Sequence, residues 1–111
     1  MEYKKEIKKE CLAVKITAEE NGQTVGRAWL YVLFNDLHQE PYGLLEDVFV
    51  EESQRGKGIG NELLKNVIAE AKDRGCYKLV GNSRHSRDGV HAWYTRLGFK
   101  DYGKEFRIDL K

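Results

Sequence analysis

Three glycines within five residues, Gly56, Gly58 and Gly60, stand between an apolar run ending at Val50 and a stretch of helical periodicity, in the segment Gln54-Arg55-Gly56-Lys57-Gly58-Ile59-Gly60. Downstream, Ile59, Leu63, Leu64, Val67, Ile68 and Ala71 follow helical spacing. They predict an amphipathic helix of about 17 residues, roughly 25 Å long, with Gly75 placed to close it in a left-handed cap. Each glycine in a helical position costs ~1 kcal/mol relative to alanine. Clustering them at a strand-to-helix junction therefore points to backbone that approaches a ligand closely or takes positive φ. A helix start offers unpaired N–H groups and the positive end of a dipole, and Arg55 and Lys57 add positive charge. The segment from Arg55 through Gly56, Lys57, Gly58, Ile59 and Gly60 to Asn61 reads as a phosphate cradle. It is no P-loop, because Asn61-Glu62 stands where Lys-Ser/Thr is required, and no Rossmann turn, because antiparallel strands precede it.

Those strands are legible in the first half of the chain. Leu12, Val14 and Ile16 alternate with polar residues, and Val25 to Phe34 is rich in β-branched and aromatic side chains. Asn21-Gly22 between them suits a type I′ hairpin turn. Both alternation sets of the second run are apolar, which predicts a strand covered on both faces. Leu44 to Val50 follows as a third strand, and Lys78 to Gly81 as a short fourth. Val90, Trp93, Tyr94 and Leu97 form a second helical stripe closed by Gly98. Phe106, Ile108 and Leu110 alternate as a terminal strand, and the first ten residues are read as a lead-in strand. The expected architecture is a single α/β (α+β) domain over residues 1–111, with a mixed, mainly antiparallel central sheet and two helices.

Composition excludes several classes. Nineteen basic against eighteen acidic residues leave a net charge of +1, which argues against a generally basic nucleic-acid binder. No apolar run is long enough for a membrane span or a signal-peptide core, so a cytoplasmic protein with no membrane partner is expected. Cys11 and Cys76 have no metal-ligand spacing and lie in apolar runs. Both are read as buried structural thiols, with no metal site.

The glycine turn resembles the acetyl-CoA signature of the GNAT N-acetyltransferases, Arg/Gln-x-x-Gly-x-Gly/Ala, at Arg55, Gly58 and Gly60, directly after the Val48-Phe49-Val50 strand. A second anchor, similar to the family's Phe-Tyr-x-x-x-Gly-Phe, is Trp93-Tyr94-Thr95-Arg96-Leu97-Gly98-Phe99. The run from Ser83 through Arg87 to Val90-His91 resembles the Ser-x-x-x-Arg-x-x-Ala-His of one subgroup. The resemblance implies a GNAT-like acyl-CoA N-acyltransferase fold, with acetyl-CoA as co-substrate and an amine as acceptor.

It also implies roles. The backbone of Val48, Phe49 and Val50 would pair with the pantetheine arm where this strand splays from the one ending near Asn82. The pyrophosphate would rest on the glycine turn, with Arg84 and Arg87 near the phosphates. Acetyl transfer needs a neutral amine, a stabilised oxyanion and a proton for the departing thiolate. Tyr94 matches the family's proton donor and, with a phenol pKa of ~10, stays protonated at neutral pH. Glu46 is the first choice of general base, sharing by alternation, apart from any bulge, a face with Val48 and Val50, with Asp47 on the other. His91 and His85 are alternatives. Trp93 and Phe99 are read as packing. Direct attack in a ternary complex is expected, since neither cysteine has a nucleophile's setting.

Three departures from the family pattern bear on the acceptor. The usual opening strand and two helices have no counterpart, Arg87 replaces an asparagine, and Glu52 replaces a proline. The expectation is a short form with an open acceptor groove, taking a small-molecule amine or a protein or peptide amine, or one completed by a second copy in a homodimer. The loop from Asn35 to Gly43, with Asp36, His38 and Glu40, would form its lip. A non-catalytic acyl-CoA-binding sensor or interaction module is the alternative to an enzyme.

Overall fold

The computed structural model describes residues 1–83 and 87–111, which form two compact units, Met1–Gly81 and Asn82–Lys111. In the first unit, β1 (Leu12–Glu20) and β2 (Gln23–Leu33) form an antiparallel hairpin. Its turn residues Asn21 and Gly22 have φ of 52° and 78°, the positive values a type I′ turn demands. β3 (Tyr42–Val50) pairs antiparallel with β2, and β4 (Leu79–Gly81) pairs parallel with β3, giving the sheet order β1-β2-β3-β4. A 3-10 turn (Glu52–Gln54) and the glycine segment connect β3 to α1 (Ile59–Asp73).

The core lies between α1 and one face of the sheet. Ala28, Leu30 and Val32 of β2 and Leu45 of β3 are buried, together with Leu63, Leu64, Val67 and Ala71 of α1. The helix settles most closely over Gly26, where an added Cβ would stand 3.1 Å from Leu63 Cδ1 and 3.1 Å from the Phe49 carbonyl oxygen. The missing side chain thus lets the start of α1 lie on β2 beside the end of β3. The opposite face of β2 is half-buried at Trp29, Tyr31 and Leu33, so the strand is covered completely on the α1 face and in part on the other. α1 ends as its sequence predicts: Gly75 has φ 79°, and Gly75 and Cys76 donate to the Lys72 and Ala71 carbonyls, which is a Schellman motif.

The second unit contains α2 (Asp88–Arg96), closed the same way. Gly98 has φ 100°, and Gly98 and Phe99 donate to Thr95 and Tyr94. The rings of Tyr94 and Phe99 meet at 5.1 Å, at the positions where this motif carries its apolar contact.

Two predicted strands are absent among the described residues. The first ten residues are exposed and unpaired with the sheet, and Phe106, Ile108 and Leu110 are 90%, 80% and 87% exposed with no strand assigned. Alternation fits a strand only where a neighbour accepts its backbone groups, and these segments have no ladder. Cys11 is exposed rather than buried, with the Phe34 N–H 3.4 Å from its sulfur. Cys76 is half-buried, and burial pushes its thiol up from the ordinary range. Among the described residues no helix is long and apolar enough to cross a membrane. Leu64 is 1% exposed in the α1–sheet core, so Leu64→Ala should destabilise the fold by about 2–5 kcal/mol. Urea unfolding would show this as a lower midpoint with an unchanged slope.

Candidate functional site

The parallel ladder between β3 and β4 has three pairs, Gly43–Leu79, Leu44–Val80 and Leu45–Gly81, and ends there. β3 continues against β2 to Val50. Glu51 donates its N–H to the Val25 carbonyl at 2.8 Å, and strand backbone groups alternate in direction. Val50 therefore turns its backbone groups from β2 toward the side on which the β3–β4 ladder has ended. The Arg55 Nε donates to the Val50 carbonyl at 3.0 Å, tying the glycine turn back to that edge.

The end of the ladder is followed directly by a β-bulge. On β2 the step from Arg27 to Trp29 spans one intervening residue, whereas on β3 the matching step from Phe49 to Glu46 spans one more. Asp47, inside the bulge, has φ 53°, a left-handed conformation that Asp tolerates better than most residues. An inserted residue bends the strand and increases its twist. It also reverses the expected parity: Glu46 faces Trp29, and Val50 faces Gly26 on the α1 side. Glu46 and Asp47 line one depression of about 440 Å³ with Tyr31, Leu33 and Leu44, on the sheet face away from α1. The expectation that Glu46 shares a face with Val50 and that Asp47 lies opposite is thus corrected, the extra residue being the cause.

The two neighbouring carboxylates have different surroundings. Asp47 accepts two hydrogen bonds from Arg27, at 2.9 and 3.0 Å. This fork holds its carboxyl below the usual range, against a smaller desolvation effect in the other direction. The Arg27 guanidinium also lies 4.9 Å from the Phe49 ring centre, and the Arg55 guanidinium 5.8 Å from it. Glu46 is exposed at the depression.

At the glycine turn, Gly56 and Gly58 have φ of 82° and 83°, and Gly58 is the N-cap of α1 with no side-chain cap. A Cβ on either would be strained by conformation, not by crowding. The first rung of the helix is Glu62 to Gly58 at 3.1 Å. Ile59 and Gly60 precede it and carry N–H groups of the first turn, as a cradle requires. Lys57 donates to Gln54 Oε1 at 3.0 Å. A hollow of about 250 Å³ lies beside the turn, lined by Lys57, Gly58, Ile59 and Glu62 with Ile16 to Ala18 of β1. The segment Arg55 to Asn61 and the edge Val48 to Val50 are therefore brought together within the first unit.

The Asn35–Gly43 loop precedes β3 and so lies at the end of that strand remote from the glycine turn. There His38 packs on Tyr77, with ring centres 4.0 Å apart. Arg87 and Tyr94 belong to the second unit, Arg87 as the N-cap of α2 and Tyr94 at the start of its closing motif. His91 is on α2, its Nδ1 3.8 Å from Asp88. Arg84 and His85 lie outside the described residues. Sequence reasoning missed Arg27. Its signal was available: a single charge inside the apolar run Val25-Gly26-Arg27-Ala28-Trp29.

The profile of the Acetyltransferase (GNAT) family matches residues 1–99. An aminoglycoside N(6′)-acetyltransferase type 1 of Stenotrophomonas maltophilia is 33% identical over 104 residues, 89% of this chain and 68% of that protein. A glucosamine 6-phosphate N-acetyltransferase of Trypanosoma brucei brucei is 34% identical over 68 residues, 61% of this chain. The match covers 44% of that relative, less than half of its length. The crystal structure of a Trypanosoma brucei acetyltransferase superposes with a TM-score of 0.77 at 29% identity, covering 88% of this chain and 69% of that one. The chain belongs to the GNAT acetyltransferase family, and its mixed sheet with two helices is that family's fold.

The Asp47 pair gives a pH signature. Its folded carboxyl titrates below the unfolded value of ~3.9, so its stabilisation is fully present above that pH and is lost as pH falls through the folded value. Asp47→Asn keeps a residue that tolerates the left-handed backbone. The stability gap between wild type and variant should hold constant above about pH 5 and close below about pH 4. Urea midpoints measured across this range test it; a gap that persists to the lowest pH contradicts it.

Proposed function

We propose that the chain is an acetyl-CoA-dependent N-acetyltransferase that moves an acetyl group to a primary amine by direct attack in a ternary complex. The observation that carries this reading is that the described β3–β4 ladder ends at Leu45 and Gly81 while β3 runs on to Val50 and into the glycine turn. An extended arm can hydrogen-bond to such an edge as an added strand, while a diphosphate meets the first turn of α1. Within the first unit the residues present suit acetyl-CoA: Val48, Phe49 and Val50 for the arm, and Arg55, Gly56, Lys57, Gly58, Ile59, Gly60 and Asn61 for the phosphates; Arg87 is added on the family resemblance alone. When bound, acetyl-CoA supplies an activated thioester.

The chain's own residues then have two proton-handling tasks. Glu46 takes a proton from the acceptor amine, directly or through water. Asp47 is less suited to that task because Arg27 occupies both its carboxylate oxygens. Tyr94 holds a proton on its hydroxyl for the leaving thiolate. The acceptor is read as a small-molecule amine, in keeping with relatives named for glucosamine 6-phosphate and aminoglycosides; a protein or peptide amine offers the same nitrogen. We read residues 1–111 as one functional domain working in the cytoplasm, where unpaired thiols such as Cys11 and Cys76 persist. A homodimer would supply further groove walls. A binding module without catalysis is not favoured, since the relatives are named as acetyltransferases.

Tyr94→Phe keeps the ring against Phe99 and removes only the hydroxyl. Acetyl-CoA affinity should be preserved while acceptor-dependent CoA release slows by about 10²-fold. Glu46→Gln should lower the rate similarly. Assays over a panel of amines, peptides and proteins decide the matter: no acceptor-dependent CoA release by the wild type with any of them would overturn the enzyme reading.

A further inference from the structure

The bulge in β3 is an irregular piece of backbone, with Asp47 left-handed and one residue more than β2 can match. Such a conformation persists only where surrounding contacts over-determine it. Arg27 supplies contacts on both sides of it. Its guanidinium forks the Asp47 carboxylate at 2.9 and 3.0 Å and covers the Phe49 ring at 4.9 Å, so one β2 side chain grips residues flanking Val48. From the other direction Arg55 reaches the Phe49 ring and the Val50 carbonyl. The bulge begins where the β3–β4 ladder has just ended at Leu45.

We infer that the Arg27–Asp47 pair is a positioning clamp: by fixing the bulge, it aims the Val48–Val50 edge away from the line of β4 and keeps the acyl-CoA slot formed before the ligand arrives. The inference rests on the reading of that edge as the acetyl-CoA slot. Neither residue touches the ligand in this scheme; both act through the backbone of residues 48–50. A bidentate Arg–carboxylate pair is directional where a lone ammonium is not, which suits it to holding one backbone geometry. Without the clamp, β3 can relax toward regular pairing with β2, and the fraction of molecules with a formed slot falls. Apparent affinity falls by the same fraction.

The test is calorimetric titration of acetyl-CoA into the full chain, with urea midpoints measured in parallel. Arg27→Gln and Asp47→Asn should each weaken binding by about three- to tenfold. The double variant should bind no worse than the weaker single one, since both changes break one interaction. Arg27→Lys, which keeps the charge but not the fork, should fall between wild type and Arg27→Gln. Asp47→Gly removes the carboxylate while easing the left-handed backbone, so it loses affinity without depending on tolerance of strain. Glu70→Gln breaks a comparable exposed pair, Arg74–Glu70 at 2.8 Å on α1. It should leave acetyl-CoA affinity unchanged. Affinities within twofold of wild type for Arg27→Gln and Asp47→Asn would overturn the clamp and leave the slot reading standing. An equal loss in Glu70→Gln would overturn it too, by showing that any surface pair has this effect. A wild type that does not bind acetyl-CoA overturns the slot reading and the clamp with it.

Discussion

A strand in the middle of a sheet can serve two neighbours only while its backbone runs straight, and β3 stops doing so one residue after Leu45. Up to that point it pairs with β2 on one side and β4 on the other; beyond it, among the described residues, the pairing continues with β2. The extra residue on β3 turns the strand while the α1 core holds β2 in place through Ala28 and Leu30, both 0% exposed. With β2 packed against the helix, the ladder to β4 ends where the bulge begins. The same bend delivers the chain into the 3-10 turn and the glycine segment, so the edge and the helix start are two consequences of one irregularity.

The bend would be of little use if α1 began elsewhere. Gly26 fixes that relation: with no side chain there, Leu63 and Ile59 settle against β2 directly beside the Phe49 carbonyl. Positive φ at Gly56 and Gly58 then closes the distance from strand to helix in a few residues. Two guanidinium groups near the Phe49 ring bind the end of the strand to β2 and to the turn. In the proposed site, the N–H donors of the turn and the Arg55 guanidinium, fixed before a ligand arrives, would be stronger partners for phosphate than flexible ones, because less ordering remains to be done on binding.

How much of this was readable in the sequence follows from how local each feature is. The hairpin turn at Asn21-Gly22, the caps at Gly75 and Gly98 and the glycine turn are set by φ requirements within a few residues, and the residue types announce them. The helix was equally plain from the spacing of Leu63, Leu64, Val67 and Ala71. The bulge was not. Register is decided by pairing with a distant strand, and Glu46-Asp47 looks the same with or without an inserted residue, so parity put the two acids on opposite faces. The tail failed for the reverse reason: Phe106, Ile108 and Leu110 have the right period, but period alone supplies no partner for the backbone. Arg27, one charge in an apolar strand, was legible and went unused.

The two adjacent acids show why the bulge bears on chemistry as well as shape. In a regular strand Glu46 and Asp47 would face opposite sides, and only one could reach the open face of the sheet. The inserted residue brings both to one depression and so requires that their roles be divided. Arg27 makes the division. By engaging both oxygens of Asp47 it holds that carboxyl below its ordinary range as part of the framework, and a carboxylate whose charged form is hydrogen-bonded is a weaker proton acceptor. Glu46, one residue earlier and opposite Trp29, is outside the fork. In the proposed mechanism the carboxylate beside the clamp is thus the one left to exchange protons, and the strand irregularity that opens the cofactor edge also selects the base.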